Sequence, residues 1–192
     1  KKGVGATTST QLWGTYGPNP VGFFFESFLR QQPEWGEVHE LSVNNIRICV
    51  VLLYGSWEVL GCFLRVGRNG SQVDNESSGG IACPLNVASG KVRVGIDSSR
   101  PGYPVTLHPN SQIMLEGFQV PFWQEAKIMA GEAVAAFPYM KLAGLDMAIT
   151  PTGPSLIELT VFPDYMGCSY MDLALSSIEG LQLCSKATTT NW

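Results

Sequence analysis

The stretch GLDMAITPTGPSLIELTV, residues 144–161, decides the fold because two β-rich runs flank a turn of Pro, Thr and Gly. It predicts an antiparallel hairpin of two strands, Leu145–Ile149 and Leu156–Val161. A turn between Thr152 and Gly153 places Asp146 opposite Glu158 within one residue of register. Opposed residues share a face of a sheet, with Cβ atoms about 5 Å apart. The hairpin therefore brings two carboxylates together.

Strand alternation gives the hairpin one apolar and one polar face. The predicted apolar face comprises Leu145, Met147, Ile149, Ile157, Leu159 and Val161. The predicted polar face comprises Gly144, Asp146, Ala148, Thr150, Glu158 and Thr160. Opposed like charges destabilise a sheet unless a cation lies between them, and magnesium accepts carboxylate and phosphate oxygens. From the spacing alone two interpretations stay open: a magnesium site, or a solvent-facing hairpin whose acids only keep it soluble.

The rest of the chain predicts an α+β fold, with a mainly antiparallel sheet flanked by helices. Further strands are predicted at Phe23–Phe25, Ile46–Leu53, Trp57–Val66, Ile81–Val87 and Lys91–Ile96. The segment Phe122–Phe137 has a helical composition and should end at Pro138. A shorter helical turn from Glu26 through Gln32 should stop at Pro33. Residues 97–120 are expected to be irregular.

Composition limits the class of protein. With 192 residues, 45% of them hydrophobic, the chain can bury a core in one large or two small domains. A net charge of −4 offers no basic surface for nucleic acid. No run of about 18 apolar residues indicates a membrane span. The five cysteines lack any CxxC spacing, which predicts reduced thiols in a cytoplasmic protein.

The hairpin resembles the closing hairpin of ATP-grasp enzymes, in which an Asp on one strand is followed by Glu-x-Asn on the next. The resemblance is closest to the sugar-transfer-associated ATP-grasp group, which is related to the glutamate ligases that modify ribosomal proteins. Segments between residues 21 and 170 resemble this group in order. They are Phe25–Leu29 at the adenine hinge, the strands Ser42–Ile48 and Phe63–Gly67, the loop pieces Val73–Asn75 and Gly79–Ala82, and the helix entry Gly117–Trp123.

This resemblance implies that ATP lies between two α+β subdomains and phosphorylates a carboxylate, and that an amine or similar nucleophile then attacks the acyl phosphate. The implied cofactors are ATP and Mg²⁺. The implied substrates are a small-molecule carboxylate and an amine or sugar-linked acceptor, in cell-surface polysaccharide or peptide modification. Asp146, Glu158 and Thr160 correspond to magnesium ligands, and Arg47 and Arg65 to arginines that contact phosphate or the acyl phosphate. The implied nucleotide-binding residues are Glu26, Phe28, Asn75, Gly79 and Gly80.

Two features depart from the family pattern. Thr160 stands where the family has Asn, and a hydroxyl has a shorter reach and ligates metal more weakly. The nucleotide-grasping lid should precede the adenine hinge, but residues 1–20 look like a loop or a lid remnant, so the N-terminal lid subdomain is expected to be largely absent. The catalytic domain is predicted at residues 21–185 and a disordered tail at residues 186–192.

Several alternatives follow from these departures. The chain is a fragment, or a partner chain supplies the lid, or activity has been lost; a homo-oligomer is compatible with the second. The main functional prediction is an ATP-dependent acid–amine ligase. The alternative is a non-catalytic binding or scaffold module derived from the ATP-grasp fold. A third hypothesis is a small antiparallel β protein that binds a partner through its glycine-rich loops.

Overall fold

The computed structural model describes residues 29–53, 55–100, 102–137, 139–161, 163, 170 and 171. Its strands are β1 (Asn45–Leu53), β2 (Ser56–Val66), β3 (Ile81–Pro84), β4 (Gly95–Asp97), β5 (Pro104–Val105), β6 (Leu142–Thr150) and β7 (Gly153–Thr160). They form a single sheet in the order β5-β4-β3-β2-β1-β6-β7, and each pairing is antiparallel. The described part also contains helices α1 (Pro33–Val38) and α2 (Trp123–Ala135) and the 3-10 turn Glu76–Ser78. The predicted α+β class with a mainly antiparallel sheet is confirmed.

Strand β1 lies between β2 and β6, and nearly all of its residues are buried. Successive side chains of a strand point to opposite faces of the sheet. Even-numbered residues from Ile46 to Leu52 belong to a large core on one face. Odd-numbered residues from Cys49 to Leu53 belong to a second core on the other face, together with Phe63. The continuous apolar run of β1 therefore supplies two cores at once.

Helix α2 covers the first of these cores. Its buried residues include Ala126, Ala130 and Val134, which recur at helical spacing and pack into the large core. Gly131 lies so close to Trp57 of β2 that an added Cβ would meet the indole ring at 2.1 Å. Glycine is therefore needed where the helix crosses the sheet. The predicted helix Phe122–Phe137 is confirmed, with slightly shorter bounds.

The prediction that Pro33 stops a helical turn is wrong. Residues 29–32 are not helical, and Pro33 begins α1 instead. Proline is tolerated in the first turn because its missing N–H would have no partner there. The Gln32 side chain caps the helix by accepting the N–H of Glu34 at 2.8 Å.

Other boundaries also differ from the predictions. Strand β3 ends at Pro84 instead of Val87. Of the predicted strand Lys91–Ile96, only Gly95 and Ile96 lie in a strand, β4. Between them the chain turns and forms an isolated bridge between Leu85 and Val92. The region predicted to be irregular contains the short strand β5. The predicted strand Phe23–Phe25 lies outside the described residues, as do residues 1–20 and 186–192, so the division of the chain into segments stays a prediction.

The hairpin of β6 and β7 has the predicted register where it matters: Asp146 pairs with Glu158. The turn itself lies one residue earlier than predicted, with Thr150 paired to Gly153. Strand β7 has a bulge at Ile157, which shifts the register by one residue between Asp146 and Met147. The bulge explains why Asp146 pairs as predicted although the turn lies one residue earlier.

The prediction of a fully apolar hairpin face is wrong at two positions. Leu145, Met147 and Ile149 are buried in the large core, but Ile157 and Val161 are each 49% exposed. The bulge removes Ile157 from the alternation, and β7 is an edge strand of the described sheet. Among the described residues, no helix combines the length and apolar character that crossing a membrane requires.

Candidate active site

A polar cluster spans neighbouring strands on the sheet face opposite α2. Arg47 of β1 pairs across the sheet with both Phe63 of β2 and Asp146 of β6. Phe63 belongs to the second core, and paired residues share a face, so Arg47 and Asp146 lie on the side of that core. Arg65 follows Phe63 by two residues and therefore points the same way. Sheet pairing thus brings the two arginines that are predicted to bind phosphate close to a predicted metal ligand.

Arg47 binds Asp146 through two hydrogen-bond donors. Its Nε donates to Asp146 Oδ1 in a short contact, and its Nη2 donates to Oδ2 at 3.1 Å. This forked geometry suits a planar guanidinium and a carboxylate. A Cβ at Gly144 would come within 3.1 Å of Arg47 Nη1, so the glycine leaves space for the arginine.

Arg65 approaches the same carboxylate from β2. Its Nη2 donates to Asp146 Oδ2 at 2.6 Å. Its Nε and Nη2 also donate to Asn45 Oδ1, at 2.8 and 2.6 Å. Asp74 Oδ2 lies 4.0 Å from Arg65 Nε and accepts the backbone N–H of Asn45 at 2.9 Å. Among the described residues, Arg65 therefore has three polar neighbours, and two of them, Asn45 and Asp74, were not predicted site residues.

Both carboxylates of the cluster are buried: Asp146 is 7% exposed and Asp74 is 5% exposed. Burial raises the pKa of Asp74 to about 6, because the charged form loses water. The Arg65 guanidinium and the Asn45 N–H oppose this rise in the pKa of Asp74. Asp74 therefore titrates much closer to neutrality than an ordinary aspartate.

Glu158 and Thr160 border the cluster on β7. Glu158 is exposed, and the Thr160 hydroxyl donates to Glu158 Oε1 at 3.5 Å. The register brings Glu158 opposite Asp146 as predicted. Within the described ranges, no three His, Cys, Asp or Glu side chains form a group that could hold a metal ion. A metal bound here would therefore need further ligands beyond the Asp146 and Glu158 carboxylates.

The loop with Asn75, Gly79 and Gly80 folds back on the Asp74 end of the cluster. Gly80 donates its N–H to the Asn75 carbonyl at 3.2 Å, and a Cβ at Gly80 would meet the Asp74 carbonyl at 2.3 Å. Gly79 has φ of 80°, a left-handed conformation that favours glycine. Asn75 is exposed. The nucleotide-binding predictions Glu26 and Phe28 lie outside the described residues.

Side chains hold this loop in place. Arg68 Nε donates to the Gly79 carbonyl, and Arg68 also forms an ion pair with Asp97 at 2.6 Å. Two buried histidines bind the start of the loop: His108 Nε2 lies 2.9 Å from the Gly67 carbonyl, and His39 Nε2 lies 2.8 Å from the Ser71 carbonyl. Burial lowers the pKa of His108. Contacts with His39, Asp97 and His108 therefore hold this loop in place beside the cluster.

Sequence reasoning missed Asn45 and Asp74. Asn45 lies two residues before Arg47 and so shares its face, which was a usable signal. Asp74 precedes Asn75 in a loop, and nothing in the spacing shows that it returns to the start of β1. Only the tertiary contacts with Asn45 and Arg65 show that Asp74 belongs to the cluster.

The fold is α+β with a mainly antiparallel sheet, which is consistent with the ATP-grasp type. The family model described as "Sugar-transfer associated ATP-grasp" matches residues 8–175. The chain belongs to this family, and the family supports ATP binding and an ATP-dependent, ligase-type function. No curated protein and no solved structure matches the chain.

Proposed function

We propose that this chain is an ATP- and Mg²⁺-dependent ligase that joins a carboxylate to an amine or similar nucleophile through an acyl phosphate. The proposed setting is the modification of a cell-surface polysaccharide or peptide. The observation that carries the proposal is the convergence of Arg47 and Arg65 on Asp146, directly opposite Glu158. A family assignment alone would not require these side chains to meet.

The proposed reaction has two steps. A carboxylate oxygen of the first substrate attacks the γ-phosphorus of ATP, and ADP leaves. The nucleophile's nitrogen then attacks the acyl carbon, inorganic phosphate leaves, and the nitrogen loses a proton to solvent. Positioning and charge neutralisation supply most of the catalysis in phosphoryl transfer, so no nucleophilic side chain is needed.

The two arginines would neutralise the transferred phosphoryl group. Guanidinium groups keep their charge and form forked hydrogen bonds with phosphate and carboxylate oxygens. The Arg47 and Arg65 side chains are 15% and 11% exposed, so they act in a largely dry environment where such bonds are strong. In this environment the two guanidinium groups attract a substrate anion more strongly than they would in water.

Asp146 and Glu158, with Thr160, would hold the magnesium ion. The donor set fits, because magnesium prefers carboxylate oxygens and completes its shell with phosphates and water. Asp146 receives three hydrogen bonds from the arginines, and a carboxylate offers about four acceptor positions, so one is open to an entering metal ion, and closer coordination would displace the arginine donors. When bound, magnesium neutralises charge on the phosphates.

The remaining predicted residues would contact the nucleotide. Asn75, Gly79 and Gly80 border the Asp74 end of the cluster, and Asn75 is exposed, so its side chain would meet phosphate or ribose. Glu26 and Phe28 would contact adenine, as the family resemblance implies.

Calorimetric titration of ATP with and without Mg²⁺ tests this proposal. We expect binding that depends on magnesium and weakens roughly tenfold or more in Glu158→Gln. The matched control is Glu116→Gln, because Glu116 is another exposed carboxylate, and it lies in a loop outside the strands that carry the cluster. Absence of ATP binding by the folded wild-type protein would contradict the proposal.

A second candidate is a binding or scaffold module that does not turn over ATP. Thr160 favours it, since it stands in place of the family's Asn and its hydroxyl lies 3.5 Å from Glu158 Oε1. Nucleotide binding that is indifferent to magnesium and to Glu158→Gln would support this module over the ligase.

A further inference from the structure

The two arginines of the cluster are held in different ways. Within the described part of the chain, the hydrogen bonds of the Arg47 guanidinium all go to Asp146. The Arg65 guanidinium shares Asp146 but also donates twice to Asn45 Oδ1 and lies 4.0 Å from Asp74. Loss of Asp146 as a partner would therefore free Arg47 and leave Arg65 anchored.

We infer that Asp74 is a positioning residue that, together with Asn45, fixes Arg65 when Asp146 exchanges its arginine partners for a metal ion. The metal part of this inference rests on the proposed function. It assigns the arginines different roles: Arg65 is a fixed cation, and Arg47 is a cation released toward substrate.

Asp74 acts both directly and through Asn45. Its Oδ2 accepts the Asn45 N–H at 2.9 Å, which sets the backbone at the start of β1. The Asn45 side chain then presents Oδ1 to Arg65 at 2.6 and 2.8 Å. The negative charge of Asp74, whose Oδ2 lies 4.0 Å from Arg65 Nε, adds attraction to the Arg65 guanidinium.

The charges explain why such an anchor is useful. Two arginines share the Asp146 carboxylate, so a cation that takes Asp146 leaves two guanidinium groups without that partner. Both arginine side chains are largely buried, and stranding a buried charge is unfavourable. Asp74 and Asn45 compensate Arg65 locally. Arg47 can instead find a new partner in a bound anion.

Nitrogen-15 NMR of the arginine Nε–H groups tests this inference without any ligand. Signals are assigned with Arg47→Lys and Arg65→Lys. In Asp146→Asn we expect Nε–H exchange with solvent to rise roughly tenfold for Arg47, since a charge-assisted hydrogen bond is lost, and to change little for Arg65. In Asp74→Asn we expect the reverse: faster exchange at Arg65 and an unchanged Arg47. Glu116→Gln is the control and should alter neither signal.

Equal release of both arginines in Asp146→Asn, or an unaltered Arg65 signal in Asp74→Asn, would overturn the inference. A purely structural role of Asp74 would loosen both arginines together. If Asp146→Asn does not fold, the Asp74→Asn spectrum still decides the anchoring.

A second arm adds Mg²⁺ and a non-hydrolysable ATP analogue. In the wild type we expect the Arg47 signal to move and the Arg65 signal to stay; in Asp74→Asn both should move, and magnesium affinity should fall about tenfold. Calorimetry that detects no magnesium-dependent binding would contradict the proposed function. The ligand-free spectra test the anchoring of Arg65 independently of that result. Binding accompanied by equal movement of both wild-type signals would overturn the fixed role of Arg65.

Discussion

The described part of the chain contains two clusters in which a pair of arginines shares one buried aspartate, and the two aspartates differ in how many hydrogen bonds they accept. Asp97 accepts five hydrogen bonds, from Arg68, Arg100 and both the backbone and the hydroxyl of Ser99. Asp146 accepts three, all from arginines on neighbouring strands. The Asp97 carboxylate is saturated, while Asp146 keeps acceptor capacity and lies opposite a second carboxylate.

The difference separates a structural ion cluster from a candidate functional one. Two of the partners of Asp97 lie two and three residues along the chain, so a local turn makes much of that cluster. Arg68 hydrogen bonds hold the pKa of Asp97 well below its usual range. Arg68 in addition binds the Gly79 carbonyl, so this cluster anchors the loop. The Asp146 cluster instead depends on strands that are distant in sequence.

The largest expected effect is on stability in Asp97→Asn. Asp97 is 1% exposed and Arg68 is 12% exposed, so removing the carboxylate leaves an uncompensated buried cation. We expect the free energy of unfolding to fall by about 3 kcal/mol, measured by urea denaturation at pH 7. Glu116→Gln should fall within about 0.5 kcal/mol of the wild type. A loss for Asp97→Asn that is no larger than the control's would show that the cluster is not structural.

A pH-dependent effect on stability is expected from Asp74. Its pKa is raised on folding to about 6, so the stabilisation from its bound proton is present below pH 4 and is lost as pH rises through 6. Asp74→Asn removes this dependence. Relative to wild type, the variant's free energy of unfolding should rise by about 2–3 kcal/mol between pH 4 and pH 7.

Asp97 does not disturb this pH test, because its depressed pKa acts in another window. Its contribution is present above its unfolded pKa and is lost as pH falls below about 4. Urea denaturation of both proteins at half-unit steps from pH 4 to 7 measures the difference. A flat difference across this range would contradict the raised pKa of Asp74.

The smallest expected effect comes from Arg100→Ala. Arg100 pairs with Asp97 at 3.1 Å and lies over the Tyr103 ring, but its side chain is 65% exposed. Solvent-exposed pairs contribute little, so we expect a loss of about 0.5 kcal/mol in the free energy of unfolding. A loss as large as that of Asp97→Asn would mean that Arg100, and not Arg68, holds the cluster together.

Much of the framework could be predicted from the sequence because alternation and turns are local signals. Strands β1 and β2 were predicted from two β-rich runs, and the pairing of Asp146 with Glu158 was predicted from the Pro-Thr-Gly turn between β6 and β7. The family resemblance then predicted that Arg47 and Arg65 are site residues. The structure brings both to Asp146, although their binding roles stay predictions.

The remainder was out of reach for physical reasons. A bulge adds one residue without any marker in the sequence, so the exposure of Ile157 was not predictable. Pro33 can either end or begin a helix, and tertiary context decides between them. Asp74 reaches Asn45 across a loop, and such long-range contacts depend on the folded chain.

The most direct test of the central claim compares magnesium-dependent ATP binding in Asp146→Asn and Glu116→Gln, each measured calorimetrically under conditions where it is folded. Both variants replace one carboxylate by an amide, but Asp146 belongs to the cluster and Glu116 is an exposed loop residue. We expect affinity to fall at least roughly tenfold in Asp146→Asn, because a metal ligand is lost, and to change less than about threefold in Glu116→Gln. Equal affinities in the two variants would contradict the assignment of the Asp146 cluster as the nucleotide and metal site.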